Sequence, residues 1–110
     1  MKTYKLGKIE VMAYDLPSQT QNEVSYLTAW EAMESPEYED GWRIPTLEEM
    51  TYLINLSMNY KVLGINYKRP YWYSKYNYDA KTAWVVFGEG DYINQTSMYN
   101  LYPVRFVRDI

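Results

Sequence analysis

Two motifs that start helices constrain the fold of this chain more than any other feature of its sequence. Thr28 is followed three residues later by Glu31, and Thr46 is followed by Glu49. In such a capping box, the threonine hydroxyl accepts a hydrogen bond from the third backbone N–H of the helix, and the glutamate accepts one from the threonine N–H. The sequence therefore predicts two short helices, which begin after Thr28 and after Thr46.

The two predicted helices differ in their length and in the faces they bury. The first is expected to turn Trp30 and Met33 inward and to end before Pro36, because a residue that precedes proline avoids the helical conformation. An acidic loop is predicted over residues 37–41. The second helix is predicted to run to about Ser57 or Met58 with one apolar face. That face consists of Leu47, Met50, Leu53 and Ile54.

Patterns typical of β-strands lie on both sides of the helices. Residues 4–14 mix apolar and polar positions in alternation, which predicts one strand. Short runs rich in β-branched and aromatic residues follow after residue 60, and residues 88–91 (GEGD) predict a hairpin turn. These runs lie at residues 71–73, 83–87 and 104–107. The order of elements predicts an α+β fold in which helices pack on a small antiparallel sheet.

The composition is that of a globular chain that lacks two reactive residue types. A length of 110 residues is enough for a single domain over 1–110, and 18% aromatic residues give more apolar area than a disordered chain carries. The sequence contains no cysteine and no histidine. It therefore has no disulfide or thiol nucleophile, and it lacks the commonest general base and metal ligand. No phosphate-binding loop or spaced pair of carboxylates is present either, so we expect no enzymatic activity, no cofactor and no metal.

Charge is distributed unevenly along the chain. Residues 1–55 carry a net charge of −6 and residues 56–110 a net charge of +3. The overall charge of −3 disfavours nucleic acid as a partner. No apolar run is long enough to span a bilayer, and no signal peptide is visible at the start, so a cytoplasmic location is one expectation.

Three segments in order resemble a known family. They are GWRIPT at 41–46 with Glu48 and Glu49, YWYS at 71–74, and VRFVRD at 104–109. This order is similar to the "GWRLPT-x-EE … YWSS … AW … YVR-x-VRD" pattern of C-type-lectin-like domains of the Legionella collagen-like protein C-terminal family and of Fibrobacter major paralogous domains. The resemblance covers roughly residues 9–110.

The resemblance implies a C-type-lectin-like fold with paired N- and C-terminal strands and two helices beside a small sheet. It implies ligand display, as in surface adhesins, phage proteins and the variable proteins of diversity-generating retroelements. The calcium-and-sugar triplets of animal C-type lectins are missing, so binding is expected to be independent of calcium. Formylglycine-generating enzymes share the wider fold but need cysteines, which excludes that activity here.

Several residues are expected to serve the core of such a fold. Trp42, Trp72 and Trp84 fall within the family pattern and are predicted to be buried, together with Leu53, Val104 and Phe106. Arg43 and Arg105 are predicted to form structural ion pairs or to stack on aromatic rings, with an anion site as the alternative.

The surplus of tyrosine points to a binding face. Of 14 tyrosines, 10 lie from Tyr52 onward, and they alternate with serine and asparagine. This is the composition of antibody paratopes, in which tyrosine provides rigid contact area and small polar residues provide adaptable hydrogen bonds. The predicted binding residues are Tyr73, Tyr76, Tyr78, Asn94, Tyr99 and Asn100, with Lys75, Lys81 and Arg69 as basic partners. A tyrosine-rich sheet with a merely structural role is the alternative interpretation.

These observations favour a non-enzymatic recognition or display domain, as part of a phage virion or a surface-associated protein in adhesion. Its expected partner is a protein or a cell-surface glycan. Two alternatives stay open: a decoration or fibre subunit that uses the tyrosines in a homo-oligomer or against a virion partner, and a cytoplasmic module for a small anionic ligand.

Overall fold

The computed structural model describes residues 2–13, 15, 28–60, 63–66, 68–87 and 92–110. Its strands form two antiparallel three-stranded sheets, ordered β1-β2-β6 and β3-β4-β5. The elements are β1 (Thr3–Leu6), β2 (Ile9–Met12), α1 (Ala29–Met33), α2 (Pro36–Glu39), α3 (Leu47–Tyr60), β3 (Tyr71–Asn77), β4 (Thr82–Phe87), β5 (Tyr92–Ser97) and β6 (Val107–Asp109). The fold is α+β, as the sequence predicted, with two small sheets in place of one.

The first predicted strand is a hairpin. β1 and β2 pair antiparallel with Leu6 opposite Ile9, so residues 7 and 8 form the turn. Gly7 has φ +63°, a conformation that residues with a Cβ rarely adopt, and the chain can therefore reverse here. The prediction of one continuous strand over 4–14 was wrong because Gly7 was not recognised as a turn residue. β2 pairs antiparallel with β6, which confirms the predicted pairing of strands near the two ends of the chain.

Both capping boxes are formed. The Glu31 N–H donates to the Thr28 hydroxyl and the Thr28 N–H donates to the Glu31 carboxylate, each over 3.0 Å. The Glu49 N–H donates to the Thr46 hydroxyl over 3.2 Å, and the Thr46 N–H donates to the Glu49 carboxylate over 2.8 Å. The helix starts are therefore confirmed, although α3 continues to Tyr60, slightly beyond the predicted end.

The region between the two boxes differs from the prediction. α1 buries Ala29 and Ala32, whereas Trp30 is 37% exposed, so the inward assignment of Trp30 was wrong. A helix of five residues has room for one narrow buried stripe, and the small alanines occupy it. The predicted acidic loop begins as the helix α2, because proline fits the first helical position and the Ser35 hydroxyl accepts the Tyr38 N–H over 3.3 Å.

The core consists of two clusters on opposite faces of β3 and β4. One contains Trp42, Trp72 and Phe106 beside α1, and the other contains the apolar face of α3. Burial is confirmed for five of the six predicted core residues: Trp42, Leu53, Trp72, Val104 and Phe106. Trp84 is only partly buried, because one side of its ring carries the Lys75 ammonium at 4.3 Å from the ring centroid.

Arg43 and Arg105 both form ion pairs, as predicted. Arg105 is 1% exposed, and its Nε lies 2.9 Å from an Asp15 carboxylate oxygen. Its Nη1 donates to the Met12 and Leu63 carbonyls, and the Tyr71 hydroxyl donates to Asp15 over 2.7 Å. This buried network joins β2, β3 and the segment before β6.

Some predictions lie outside these observations or differ in detail. The predicted hairpin turn at 88–91 lies outside the described residues. The last strand spans Val107–Asp109 rather than 104–107. Residues 104–106 are buried, and among the described residues their pairing is limited to an isolated bridge at Val104 and a hydrogen bond from the Met12 N–H to the Phe106 carbonyl over 3.1 Å. Within the described part of the chain, no helix has the length and apolar character to cross a membrane.

Candidate binding surface

Three exposed aromatic rings lie in contact at one end of the β3–β4 sheet. Trp30 and Tyr78 meet edge to face with ring centroids 5.9 Å apart, and Tyr76 and Tyr78 meet with centroids 4.8 Å apart. These rings are 37%, 44% and 43% exposed for Trp30, Tyr78 and Tyr76, respectively. We call Trp30, Tyr76 and Tyr78 the aromatic platform. The rings restrain one another in a geometry that aromatic pairs prefer, yet keep area open to a ligand.

The β3–β4 connection positions the platform. The pairing register shifts between Tyr73 and Tyr76, so a bulge separates the buried start of β3 from its exposed end. In the following turn, the Ala80 N–H donates to the Asn77 side chain over 3.1 Å. Lys81 ends the turn with φ 55°, and its ammonium lies 5.7 Å from the centroid of the Trp30 ring. A non-glycine residue in the left-handed region is uncommon, and such strain is concentrated at functional sites.

An open cleft of about 370 Å³ adjoins the platform. It lies between the exposed part of β3 and the segment before α3. These two parts are joined by a hydrogen bond that the Ser74 N–H donates to the Pro45 carbonyl over 2.8 Å. Tyr76 belongs to both the platform and the cleft, and the Tyr78 hydroxyl reaches the Met33 sulfur at 3.3 Å. The lining residues are Met33, Tyr38, Arg43, Ile44, Thr46, Ser74 and Tyr76. Platform and cleft share Tyr76 and therefore form one surface, in which the cleft combines two tyrosines and two aliphatic side chains with two hydroxyl groups and one arginine.

The one arginine of the cleft is already neutralised. The two Nη atoms of Arg43 donate to the two carboxylate oxygens of Glu49 over 2.6 and 2.7 Å, and Nη2 also contacts Asp109 at 2.9 Å. The hydrogen bonds with Glu49 raise the pKa of Arg43 and hold the pKa of Glu49 below its usual value. Arg43 thus forms a structural ion pair and does not serve as a free anion site.

Replacing Glu49 with glutamine is expected to flatten the acid side of the stability profile. Because the folded-state pKa of Glu49 is lowered from 4.5, its ionised form stabilises the fold above that pH and the contribution is lost as the pH falls through the lowered value. Glutamine can retain the capping hydrogen bond from the Thr46 N–H, but it lacks the charge and can accept only one of the two hydrogen bonds from Arg43, so Glu49→Gln should cost about 1 kcal/mol at neutral pH. The melting temperature between pH 7 and 3 measures this. The exposed neighbour Glu48→Gln is the control, and an equal effect in both variants would contradict the assignment.

The structure brings together part of the predicted binding residues. Tyr76, Tyr78 and Lys81 meet at the platform. Tyr99 and Asn100 follow β5 at the same end of the sheet, where the Met98 N–H donates to the Lys81 carbonyl over 2.9 Å. Tyr99 is among the most exposed aromatic residues described, and the Asn100 amide donates to the Thr96 hydroxyl over 2.5 Å.

Four other predicted residues lie elsewhere. Tyr73 is 6% exposed and packs in the core cluster of α3, so its assignment to the binding face was wrong. It precedes the bulge and points to the same side as the buried Tyr71. Lys75 lies over Trp84, which packs on the α3 cluster, and Arg69 precedes β3 at the end remote from the β3–β4 turn. Asn94 is exposed in the middle of β5.

Patterns in the sequence did not predict the residues that complete the surface. Trp30 was predicted to lie in the core, and among the cleft residues of α2 and of the segment before α3 only Arg43 was considered for binding, as an alternative to an ion pair. The pair Ala29 and Ala32 was the available signal, since two small residues at helical spacing can bury a short helix and leave the tryptophan outside. The cleft itself is assembled from segments distant in sequence.

The described residues include no group of three acidic, histidine or cysteine side chains placed to hold a metal ion. Partial burial, followed by the effects of Tyr76 and Tyr38, raises the pKa of the Tyr78 hydroxyl. No protein-family model matches the sequence, and no curated protein matches it significantly.

Proposed function

We propose that this protein is a non-enzymatic recognition module with a C-type-lectin-like fold, which binds a protein or a glycan through the aromatic platform and its cleft. The observation that carries the proposal is the mutual contact of Trp30, Tyr76 and Tyr78 at substantial exposure beside a cleft of about 370 Å³. Exposed aromatic rings that line a groove with a few polar groups are typical of recognition surfaces.

Ring-to-ring contacts favour binding because they reduce the entropy lost on association. A tyrosine or tryptophan has few rotatable bonds and a large contact area, and rings that already hold one another lose less freedom when a partner arrives. The Tyr38 ring, 6.4 Å from that of the buried Phe106, is anchored in a similar way at the far side of the cleft. A preorganised site of this kind needs no catalytic group to explain it.

The distribution of charge favours a partner without strong negative charge. Lys81 is the basic residue at the platform, and Arg43 is neutralised by Glu49 and Asp109. Lys75 and Arg69 lie away from the platform and the cleft. Among the residues that the structure describes, Lys81 is thus the one cation placed at the platform, and one cation gives weak attraction to a polyanion at physiological salt. A protein surface or an uncharged glycan therefore fits better than a nucleic acid or the small anionic ligand considered as an alternative.

The C-type-lectin-like assignment is supported by the pairing of β2 with β6 and by helices beside a second sheet that carries the exposed aromatic rings. Within that assignment, the module acts in a phage virion or a surface-associated protein, as in adhesion. A decoration or fibre subunit that packs its tyrosines against neighbouring subunits is the competing function, since the same platform serves assembly as well as capture.

The double variant Tyr76→Ala/Tyr78→Ala is expected to lose binding. We would screen the labelled protein on a glycan array and against a displayed random-peptide library, and then titrate the best binder. Truncation of two central aromatic residues should weaken affinity at least about 30-fold, which corresponds to about 2 kcal/mol. Tyr52→Ala, on α3 and 49% exposed, is the matched control and should bind normally.

The same titration at low and high salt separates the partner classes. The affinity for a protein or a neutral glycan should change by less than about threefold between low and high salt. The affinity for an anionic ligand should instead fall markedly as the salt concentration is raised. Normal binding by the double variant would contradict the proposal, and so would an absence of binders on both probes. A steep salt dependence would favour the anionic-ligand alternative instead.

A further inference from the structure

β5 is exposed in an unusual manner for a strand. Five of its six residues are exposed and Thr96 is partly buried, so both faces of the strand are open. It is also the edge of its sheet, and no strand in the described part of the chain pairs with its outer side. An edge of this length offers unpaired backbone groups to another strand.

The ladder with β4 defines which backbone groups point outward. The Met98 N–H donates to the Lys81 carbonyl, in register with the pairing of Ser97 and Thr82. Bonded residues alternate in an antiparallel ladder, so Thr96, Asn94 and Tyr92 face β4. The N–H and C=O groups of Ile93 and Gln95 and the N–H of Ser97 consequently point to the open side. The Ser97 carbonyl already accepts the Asn100 N–H over 3.1 Å and keeps one lone pair for a further donor.

The other outer edges of the two sheets have protection that the described residues do not give to β5. Next to β3, the Trp72 N–H donates to the Pro103 carbonyl and the Ser74 N–H to the Pro45 carbonyl. β1 and β6 each carry charged side chains, namely Lys5 in β1 and Arg108 and Asp109 in β6. Residues 92–103, in contrast, contain no charged residue, and β5 has neither a proline nor a register shift. Charge, proline and bulges are the usual devices that keep an edge strand single.

We infer that β5 pairs antiparallel with β5 of a second copy of this chain and joins the two sheets into one six-stranded sheet. Only one register pairs all three outward residues of both copies. It places Gln95 opposite Gln95 on the two-fold axis and Ile93 opposite Ser97 on either side. The inference does not depend on the proposed function, because it uses backbone groups that the platform does not contain.

Side chains and charge agree with this register. Asn94 lies opposite Thr96, a polar pair that can share a hydrogen bond across the strands. The exposed Tyr92 at the start of one strand comes beside the end of the other, where Tyr99 is exposed. Two copies of an uncharged edge meet without like charges, although the chain as a whole is negative.

The size of the contact sets the expected strength. A strand of six residues is about 20 Å long, which gives less contact than the roughly 1,200 Å² of a standard interface. The apolar ends add area, but the dimer should be weak, with a dissociation constant of micromolar order or higher. Each dimer would carry two aromatic platforms, which strengthens binding to a surface with repeated targets.

Cysteine cross-linking tests the register directly, because the natural chain has no cysteine. In Gln95→Cys, the two copies of residue 95 would lie about 5.5 Å apart between Cα atoms, within the range of a disulfide. Mild oxidation should therefore link this variant into dimers. Ile93→Cys alone should not link, since its two copies would be about 14 Å apart, but a mixture of Ile93→Cys and Ser97→Cys should. Linking of Gln95→Cys no faster than of the exposed control Tyr52→Cys would overturn the inference.

Sedimentation equilibrium tests the association without cross-links. The natural protein should form dimers between about 10 μM and 1 mM, as a weak interface predicts. Gln95→Lys places two like charges on the axis and should weaken association at least tenfold, whereas Tyr52→Lys changes the net charge equally and should not. A natural protein that stays monomeric at 1 mM would refute the dimer. If Gln95→Lys weakens association but leaves ligand binding at the aromatic platform unchanged, the dimer and the proposed function are tested independently.

Discussion

Arg105→Ala is expected to destabilise the protein by about 3–5 kcal/mol, the cost of breaking a buried ion pair from one side. The guanidinium is 1% exposed and contacts the Asp15 carboxylate and the Met12 and Leu63 carbonyls. Removal of Arg105 leaves a buried carboxylate and two carbonyls without this donor. Urea unfolding measures the loss. Arg108→Ala, which breaks a more exposed pair with Glu10, is the control and should cost about 1 kcal/mol or less.

The Arg105→Ala deficit should also depend on pH. Burial, the dominant cause, raises the pKa of Asp15 even while Arg105 opposes that shift. Without Arg105 the pKa of Asp15 rises further, so the neutral acid is favoured in the folded variant and ionisation penalises folding. The deficit should therefore be smaller at pH 4 than at pH 7. A deficit that is constant over this range would mean that Asp15 leaves its buried position in the variant.

Trp72→Ala is expected to cost about 3–5 kcal/mol, as for other large-to-small changes in a core. The Trp72 ring is fully buried and meets the Tyr102 ring edge to face at 5.2 Å. Its removal leaves a cavity between α1 and the sheet β3-β4-β5. Thermal unfolding should show a drop of more than about 10 °C for a domain of this size.

Trp30→Ala is the matched comparison for Trp72→Ala. Trp30 lies at the surface, so its removal should cost about 1 kcal/mol or less in stability, yet it should weaken ligand binding because Trp30 belongs to the aromatic platform. If the two tryptophan variants were equally destabilised, the division into a core and a binding surface would be wrong.

Local signals in the sequence predicted the helices well. The capping boxes at Thr28 and Thr46 depend on side chains three residues apart, and the buried face of α3 depends on helical spacing, so neither needs distant contacts. The failures near Gly7 and Pro36 were also local. In each case the residue has two uses, since glycine permits a turn within a strand pattern and proline can start a helix as well as end one.

The binding surface was only partly predictable. The sequence pointed to Tyr76, Tyr78 and Lys81 because they follow one another in a polar, tyrosine-rich stretch. It placed Tyr73 with them because alternation alone does not reveal the bulge that separates Tyr73 from Tyr76. Lys75 and Arg69 were grouped with Lys81 for the same reason, although the strand places them on another face or at the other end.

The sequence by itself determined the α+β class, the two helix starts, the buried face of α3 and the absence of cysteine and histidine chemistry, because each follows from neighbouring residues or from composition. Tertiary structure alone decided which tryptophan is buried, how the cleft between β3 and the segment before α3 forms, and that β5 is the outermost strand of its sheet in the part of the chain that the structure describes. These outcomes depend on which segments pack together across the fold. A local pattern along the chain does not show which of several apolar side chains will be buried in the core.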